Sequence, residues 1–413
     1  MFDGKARILI FSSSYLPVVG GVQTVAHSLA KQLILNGHEV RVATNRYPVS
    51  LPASETIDGV PVDRLLLLRP QTGQLRRRRP DLFLASLYFY PQSYWRLRNI
   101  LREFRPNAIN IHFADQQVSL VLKLRREFDF RLVVSLHGHD VERAVNGHTT
   151  GNSRDNPRAP KRVLSQLRAI LAQADAVTAV SGNLLHKATK VEPTISNKSY
   201  VINNGIDPTR FEDKKSYQHP RPYILGLGRF VPNKGFDLLI QAFAECDRED
   251  KPDLIIAGSG EQRDILKAQV ERLGLTGKIH FFGEASPGEV VQLLNGCLVV
   301  AVPSRSETFG IVALEGLAAG KPVLATRTGG LEEFLRQFEK ENGTHATWQS
   351  NRKVILVDAT VQGMADGLKQ VCAISRNGST LADNHHLPEK YTWTHVARSY
   401  ERVLLGQRQQ TGN

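Results

Sequence analysis

Cysteine is scarce: the 413 residues contain three, Cys246, Cys297 and Cys372. They are odd in number and widely spaced, without the close pairs that bind zinc or carry thiol redox chemistry, and they read as buried reduced thiols. Long apolar runs are also missing. No stretch approaches the ~20 residues that a membrane helix needs, so the chain is expected not to span a bilayer. The first residues lead almost directly into the apolar run Ile8, Leu9, Ile10 and Phe11, with no longer apolar region and no small-residue cleavage site. No signal peptide is read there, and the expected location is the cytoplasm. The first glycine turn lacks the G-x-G-x-x-G spacing, which argues against a nicotinamide-dependent dehydrogenase.

Acidic residues are depleted in one half only. Residues 1–210 carry 29 Lys+Arg against 16 Asp+Glu, and residues 211–413 carry 24 against 24, so the whole formal charge of +13 lies in the first half. An acidic partner for that half is the physical implication. Within it, Arg76 to Arg79 precede Leu87, Tyr88, Phe89, Tyr90, Tyr94 and Trp95, and then Arg96, Arg98, Arg102 and Arg105. A solvated basic face, a nucleic-acid surface and a docking face for anionic membrane are the three accounts of this block. Interleaved aromatics and arginines suit an interfacial segment. Nucleic acid is not adopted, because no recognition fold accompanies the patch.

The length suggests two domains of about 200 residues. Short β-rich runs alternate with helical patterns: Arg7 to Ser12, Glu39 to Thr44, Asn107 to His112, Leu132 to His137 and Ala176 to Ser181 in the first half. A second series begins at Tyr223 to Gly228 and continues through Leu254 to Ala257, Lys278 to Phe282, Leu298 to Pro303 and Pro322 to Thr326. This is the βαβ rhythm of parallel, doubly wound sheets, so the fold class is α/β with two Rossmann-like domains. Residues 1–206 form the first expected domain and residues 207–393 the second, with Asp207 to Pro222 as linker. Val141 to Pro160 reads as a loop. A last helix, about 394–405, carries Val396, Ala397, Val403 and Leu404 and fits either domain, including a return to the first.

In such sheets ligands bind at the carboxyl ends of strands, where glycine turns let amides and helix N-termini approach phosphate. Three places offer this. Gly20 and Gly21 follow the first strand, a spacing that a plain tight turn also explains. Gly228 and Arg229, with Lys234 and Gly235, lie between a strand and a helix, and two cations on such a loop can neutralise a diphosphate without a metal. The third place is Ser306 to Glu315, where Glu307 precedes Phe309, Gly310, Ile311 and Val312, whose amides begin a helix bearing Glu315. Carboxylates suit sugar and ribose hydroxyls, although two glutamates at this distance also occur as exposed helix residues.

Together these motifs, with Val180-Ser181, Asn204-Gly205-Ile206-Asp207, Thr328-Gly329-Gly330 and the closing Trp393 helix, resemble those of family 4 glycosyltransferases of the GT-B fold. The resemblance spans nearly the whole chain. It implies two such domains facing across a cleft, the first on the acceptor side and the second binding the donor. It also implies a retaining hexosyl transfer from a nucleotide-sugar, UDP- in preference to GDP-, to a glycan or lipid-linked acceptor. Surface polysaccharide or glycolipid assembly would be the setting, with peripheral contact on the inner face of the membrane. No cofactor and no bound metal are implied. By the same resemblance Arg229 and Lys234 hold the donor diphosphate, Glu315 the ribose, Glu307 the region beside the donor sugar, and His137 the transferred sugar. His139 and Asp140 receive no role. The chain departs from the family in the longer polar stretch Glu333 to Lys353 and in Asn203, which stands where a proline is usual. A nucleotide-sugar epimerase, a phosphorylase and a non-catalytic nucleotide-sugar-binding protein share the fold; net sugar transfer separates them.

Overall fold

The computed structural model describes residues 5–18, 20–67, 80–115, 117–146, 159–213, 215–246, 251–341, 353–376 and 387–407. Arg76 to Arg79 lie outside them. The chain divides into two compact units, Met1–Asn203 together with Trp393–Asn413, and Asn204–Thr392.

The first unit is built on eight strands: β1 Arg7–Ser12, β2 Glu39–Asn45, β3 Ser54–Ile57, β4 Val60–Leu65, β5 Ala108–His112, β6 Arg131–Leu136, β7 Ala176–Ala179 and β8 Ser199–Val201. Their order is β3-β4-β2-β1-β5-β6-β7-β8. All neighbours are parallel except β3 and β4, a hairpin turning at Asp58 and Gly59, both with positive φ. The central strands are mostly apolar and buried on both faces, as helices on either side of a parallel sheet require. The chain leaves β1 towards β2 and later returns to the other side of β1 as β5. Ser12 and His112 therefore end neighbouring strands at a topological switch point, where open α/β sheets place ligands.

The second unit has six strands: β9 Tyr223–Leu227, β10 Asp253–Ala257, β11 Ile279–Gly283, β12 Val299–Val302, β13 Val323–Thr326 and β14 Val354–Val357. They run in the order β11-β10-β9-β12-β13-β14, every pair parallel. The switch point here falls between β9 and β12.

Three readings of the sequence are corrected. Within Val141 to Pro160, a helix runs over His139–Asn146, and another begins at Ala159; residues 147–158 lie outside the described residues. The Asp140 carboxylate accepts hydrogen bonds from the Gly138 and Val141 amides at 3.0 Å each, which fixes the first turn, while Val141 and Ala144 bury one face. The helix's three apolar positions, Val141, Ala144 and Val145, span barely one turn, too short a run to stand out from the polar stretch. Asp207 to Pro222 is not a free linker. Asp207 caps a turn of 3-10 helix over Pro208–Phe211, Phe211 is buried, and the Tyr217 amide donates to the Gln292 carbonyl. The chain passes between units instead at Asn203–Asn204 and Thr392–Trp393. Of the polar stretch Glu333 to Lys353, residues up to Glu341 continue the helix Gly329–Glu341, and Asn342 and Gly343 lie outside the described residues.

The last helix, Trp393–Leu404, packs on the first unit. Val396, Ala397, Tyr400, Val403 and Leu404 join Ala26, Leu29, Ala30 and Leu33 of the helix Gly21–Leu35 in one core. Full burial of each large apolar side chain contributes about 1.5–3 kcal/mol, enough to hold a twelve-residue helix that would be marginal alone.

Candidate active site

The two loops at the switch point of the second unit are tied to each other. After β9 the chain runs through Gly228 and Arg229 to a 3-10 turn, Pro232–Lys234, and then to the helix Phe236–Glu245. After β12 it runs through Pro303 to Glu307 and enters the helix Ile311–Ala318. The Asn233 carbonyl accepts from the Arg305 amide at 2.8 Å. The Arg305 guanidinium holds both carboxylate oxygens of Asp237 at 2.7 Å, which keeps that carboxyl below its ordinary range. Gly235 sits at φ 69°, and a Cβ there would lie 2.1 Å from the Pro303 carbonyl oxygen, so only glycine lets the loops approach this closely.

This frame brings Lys234 and Glu307 together, Nζ to Oε2 at 2.5 Å. Both are partly buried, so the pair is shielded from water without being sealed off. The Glu307 carbonyl accepts from the Gly330 amide at 3.1 Å, and its Oε1 from the Thr308 amide at 3.2 Å. Arg229 is exposed on the same loop. Gly310, at φ 97°, precedes the helix bearing Ile311 and Val312 and supplies no side-chain cap to its first-turn amides, which have no acceptor within the helix.

Glu315 lies one turn further along, with its side chain mostly buried. Burial raises its carboxyl above the ordinary range, and the Arg210 guanidinium at 3.7 Å partly offsets this. Arg210 belongs to the segment read as linker, and nothing local in the sequence marked it. Phe309 requires a correction as a donor contact. Its ring is 1% exposed and lies 4.6 Å, centroid to centroid, from that of Phe334 in the core, so only its main chain can meet a ligand.

In the first unit Gly20 is extended and Gly21 opens a helix, with the Thr24 amide bonded to the Gly20 carbonyl. His137 follows β6 and is buried, its Nε2 at 2.9 Å from Nδ1 of His112 at the end of β5. Burial pushes the His137 imidazole down to about 4 and holds His112 well below its usual value, so both rings are neutral near pH 7. Neither His112 nor its partner Asn110 was singled out from the sequence, although polar residues at alternate positions of an apolar strand were a visible signal. His139 is exposed, while Asp140 is spent on the turn described above.

Within the second unit, glycine loops at a switch point and a paired carboxylate and ammonium form a polar site of the kind that α/β sheets use for phosphorylated ligands, and the chain has known relatives. Residues 19–210 match the model of Glycosyltransferase Family 4, and residues 209–355 that of Glycosyl transferases group 1. An uncharacterized glycosyltransferase of Methanocaldococcus jannaschii is 30% identical over 413 residues, covering 96% of this chain and 97% of the relative. Glycogen synthase of Mycobacterium tuberculosis is 27% identical over 97% of this chain and 94% of its own length. Among solved structures, sucrose-phosphate synthase from Thermosynechococcus elongatus has a TM-score of 0.73 at 19% identity, covering 97% of this chain and 98% of that one. The Anabaena protein HepE, in complex with UDP and glucose, has a TM-score of 0.67 at 19% identity, covering 97% and 100%. The chain belongs to glycosyltransferase family 4, and its fold is GT-B.

Proposed function

We propose that this glycosyltransferase moves a hexose from a nucleotide-sugar to a glycan or lipid-linked acceptor with retention of configuration, UDP being the preferred carrier. The observation that carries the reading is the Lys234–Glu307 pair on the same loops as Arg229 and the helix Ile311–Ala318, whose N-terminus has no side-chain cap. Negative charge develops on the leaving diphosphate, and fixed donors aimed there are the largest expected catalytic contribution. Arg229 grips the diphosphate by its fork and Lys234 as a point charge, without a resident metal. Glu315 receives the ribose hydroxyls, Glu307 lies beside the sugar and His137 contacts it. Gly20 and Gly21 let the ligand lie against the main chain. The solved Anabaena protein with UDP and glucose supports this donor class.

The acceptor proposal draws on the helix Pro80–Phe104. Arg96 and Arg98 are used within the fold, on the Ala53 carbonyl and on Glu127, so they are not the free cations that the sequence suggested. Leu84, Leu87, Tyr88 and Trp95 on the same helix are exposed, which suits contact with a lipid surface in the surplus-cation half of the chain. Among the described residues no helix is long and apolar enough to cross a membrane.

The test is a binding and hydrolysis screen against UDP-, GDP- and ADP-sugars without added metal, with Lys234→Ala and Glu307→Ala beside the wild type. Slow release of one nucleotide, lost in both variants, names the donor; failure to bind any nucleotide-sugar overturns the reading. Co-sedimentation with anionic vesicles, absent for Tyr88→Ser/Trp95→Ser, tests the membrane contact separately.

A further inference from the structure

If His137 is the sugar contact proposed above, its ring must be held in one orientation and one tautomer. Beside it a row of buried polar side chains crosses β5, β6 and β7, whose other buried residues are apolar. Asn110 and His112 come from β5, Ser135 from β6, Thr178 from β7 and Tyr400 from the last helix, none more than 2% exposed. The register places His112 beside Ser135, and Ser135 beside Thr178. Burying five polar groups in a sheet core costs free energy unless each is satisfied, and an apolar set would fill the same space without that risk.

The groups are joined end to end. Tyr400 hydrogen-bonds with the side chains of Thr178 and Ser135, and its ring stacks on His112 with centroids 6.3 Å apart. Thr178 Oγ1 donates to Ser135 Oγ at 2.8 Å, and Ser135 Oγ donates to Asn110 Oδ1 at 2.8 Å. That leaves the Asn110 amide nitrogen facing His112 Nε2 at 3.0 Å, and an amide nitrogen can only donate. His112 Nε2 is thus an acceptor, the His112 proton sits on Nδ1, and Nδ1 donates to His137 Nε2 at 2.9 Å.

We propose that Tyr400, Thr178, Ser135, Asn110 and His112 form a positioning relay that fixes His137 as the Nδ1–H tautomer, so that His137 meets the sugar as a hydrogen-bond donor and not as a base. The returning helix Trp393–Leu404 then has a second purpose besides packing, because it supplies the tyrosine that heads the relay. Orientation of a functional imidazole by the partner of its other nitrogen is a general device.

The experiment is a two-bond proton–nitrogen correlation spectrum of the full-length 15N-labelled chain, with the His137 signals assigned by their loss in His137→Ala. The wild type is expected to show Nδ1–H at His137, unchanged from pH 5 to 8. Asn110→Asp, which replaces the amide donor by an acceptor, should move the His137 proton to Nε2. Tyr400→Phe and Ser135→Ala, which remove single oxygens, keep the test open if the aspartate variant does not fold. They should yield mixed tautomers, with kcat roughly 10- to 100-fold lower and the donor KM nearly unchanged. Nε2–H in the wild type, or one tautomer in every variant, overturns the relay. Full transfer activity in His137→Ala, with Nδ1–H intact in the wild type, instead removes the sugar contact and leaves the relay no reaction to serve.

Discussion

Lys234 and Glu307, 73 positions apart in sequence, meet with Nζ 2.5 Å from Oε2, each from a loop at the carboxyl end of a neighbouring strand. The contact ties the two loops to each other through their side chains.

Lys234→Ala is expected to lower kcat/KM by roughly 100-fold or more, the scale seen when one fixed donor to a developing anion is removed. Lys234→Arg keeps the charge but not the point geometry, and should recover only part of the loss. Steady-state kinetics with the donor identified by the screen decides it; equal activity in all three proteins would sink the assignment.

Gly235→Ala should destabilise the second unit by about 2 kcal/mol or more, since the residue is left-handed and its new Cβ would meet the Pro303 carbonyl at 2.1 Å. Urea unfolding measures this. A loss of unfolding free energy below about a tenth of that would mean that the loops relax apart at little cost.

Phe309→Leu should leave the donor KM within about twofold of wild type, whereas Phe309→Ala should cost about 3–5 kcal/mol of stability through the cavity left beside Phe334. Thermal melting and donor titration separate the two effects. Loss of donor affinity in a stable Phe309→Leu protein would restore the ring to the binding site.

The pH dependence of stability has two opposed contributions. Burial raises the Asp140 carboxyl to about 6, so between roughly pH 4 and 6 the folded state binds the extra proton and this group's stabilisation is lost as pH rises. His137, pushed down to about 4, acts oppositely, because from about pH 6.5 to 4 the unfolded chain takes the proton and stability falls as pH falls. Asp140→Asn retains an oxygen to accept from Gly138 and Val141 without the buried charge. It should therefore be stabilised relative to wild type at pH 7, by about 1–3 kcal/mol, and indistinguishable from it near pH 4. Denaturant midpoints across this range provide the check.

Arg210→Ala should raise the donor KM several-fold with little change in kcat, because it loosens Glu315 without touching the transferred sugar. The same variant tested with a deoxyribose nucleotide donor should show a smaller penalty. An unchanged KM would leave the Arg210–Glu315 contact a matter of folding alone.

Much of this molecule is written locally. Alternating apolar runs and helical stripes fix the rhythm of ten strands among the described residues, but not β3, β4, β8 and β14, each of which is only three to six residues long and adds a short edge or end piece to its sheet. Glycines before helices marked the loops at both switch points, because main-chain geometry at a tight approach depends on the residue itself. Helix His139–Asn146 was hidden because its start depends on one carboxylate folding back on two amides.

What the sequence determined by itself is therefore the α/β class, the two-fold repetition of the domain and the positions of Gly228, Arg229, Lys234, Glu307, Gly310 and Glu315 on strand-to-helix loops. The tertiary structure decided the partners: Lys234 with Glu307, Glu315 with Arg210, His137 with His112, Phe309 with the core, and Tyr400 with the first unit. Period, turn and cap are settled by neighbours in the chain, whereas these contacts join residues from 25 to several hundred positions apart, which only the packing of sheets and returning helices brings together.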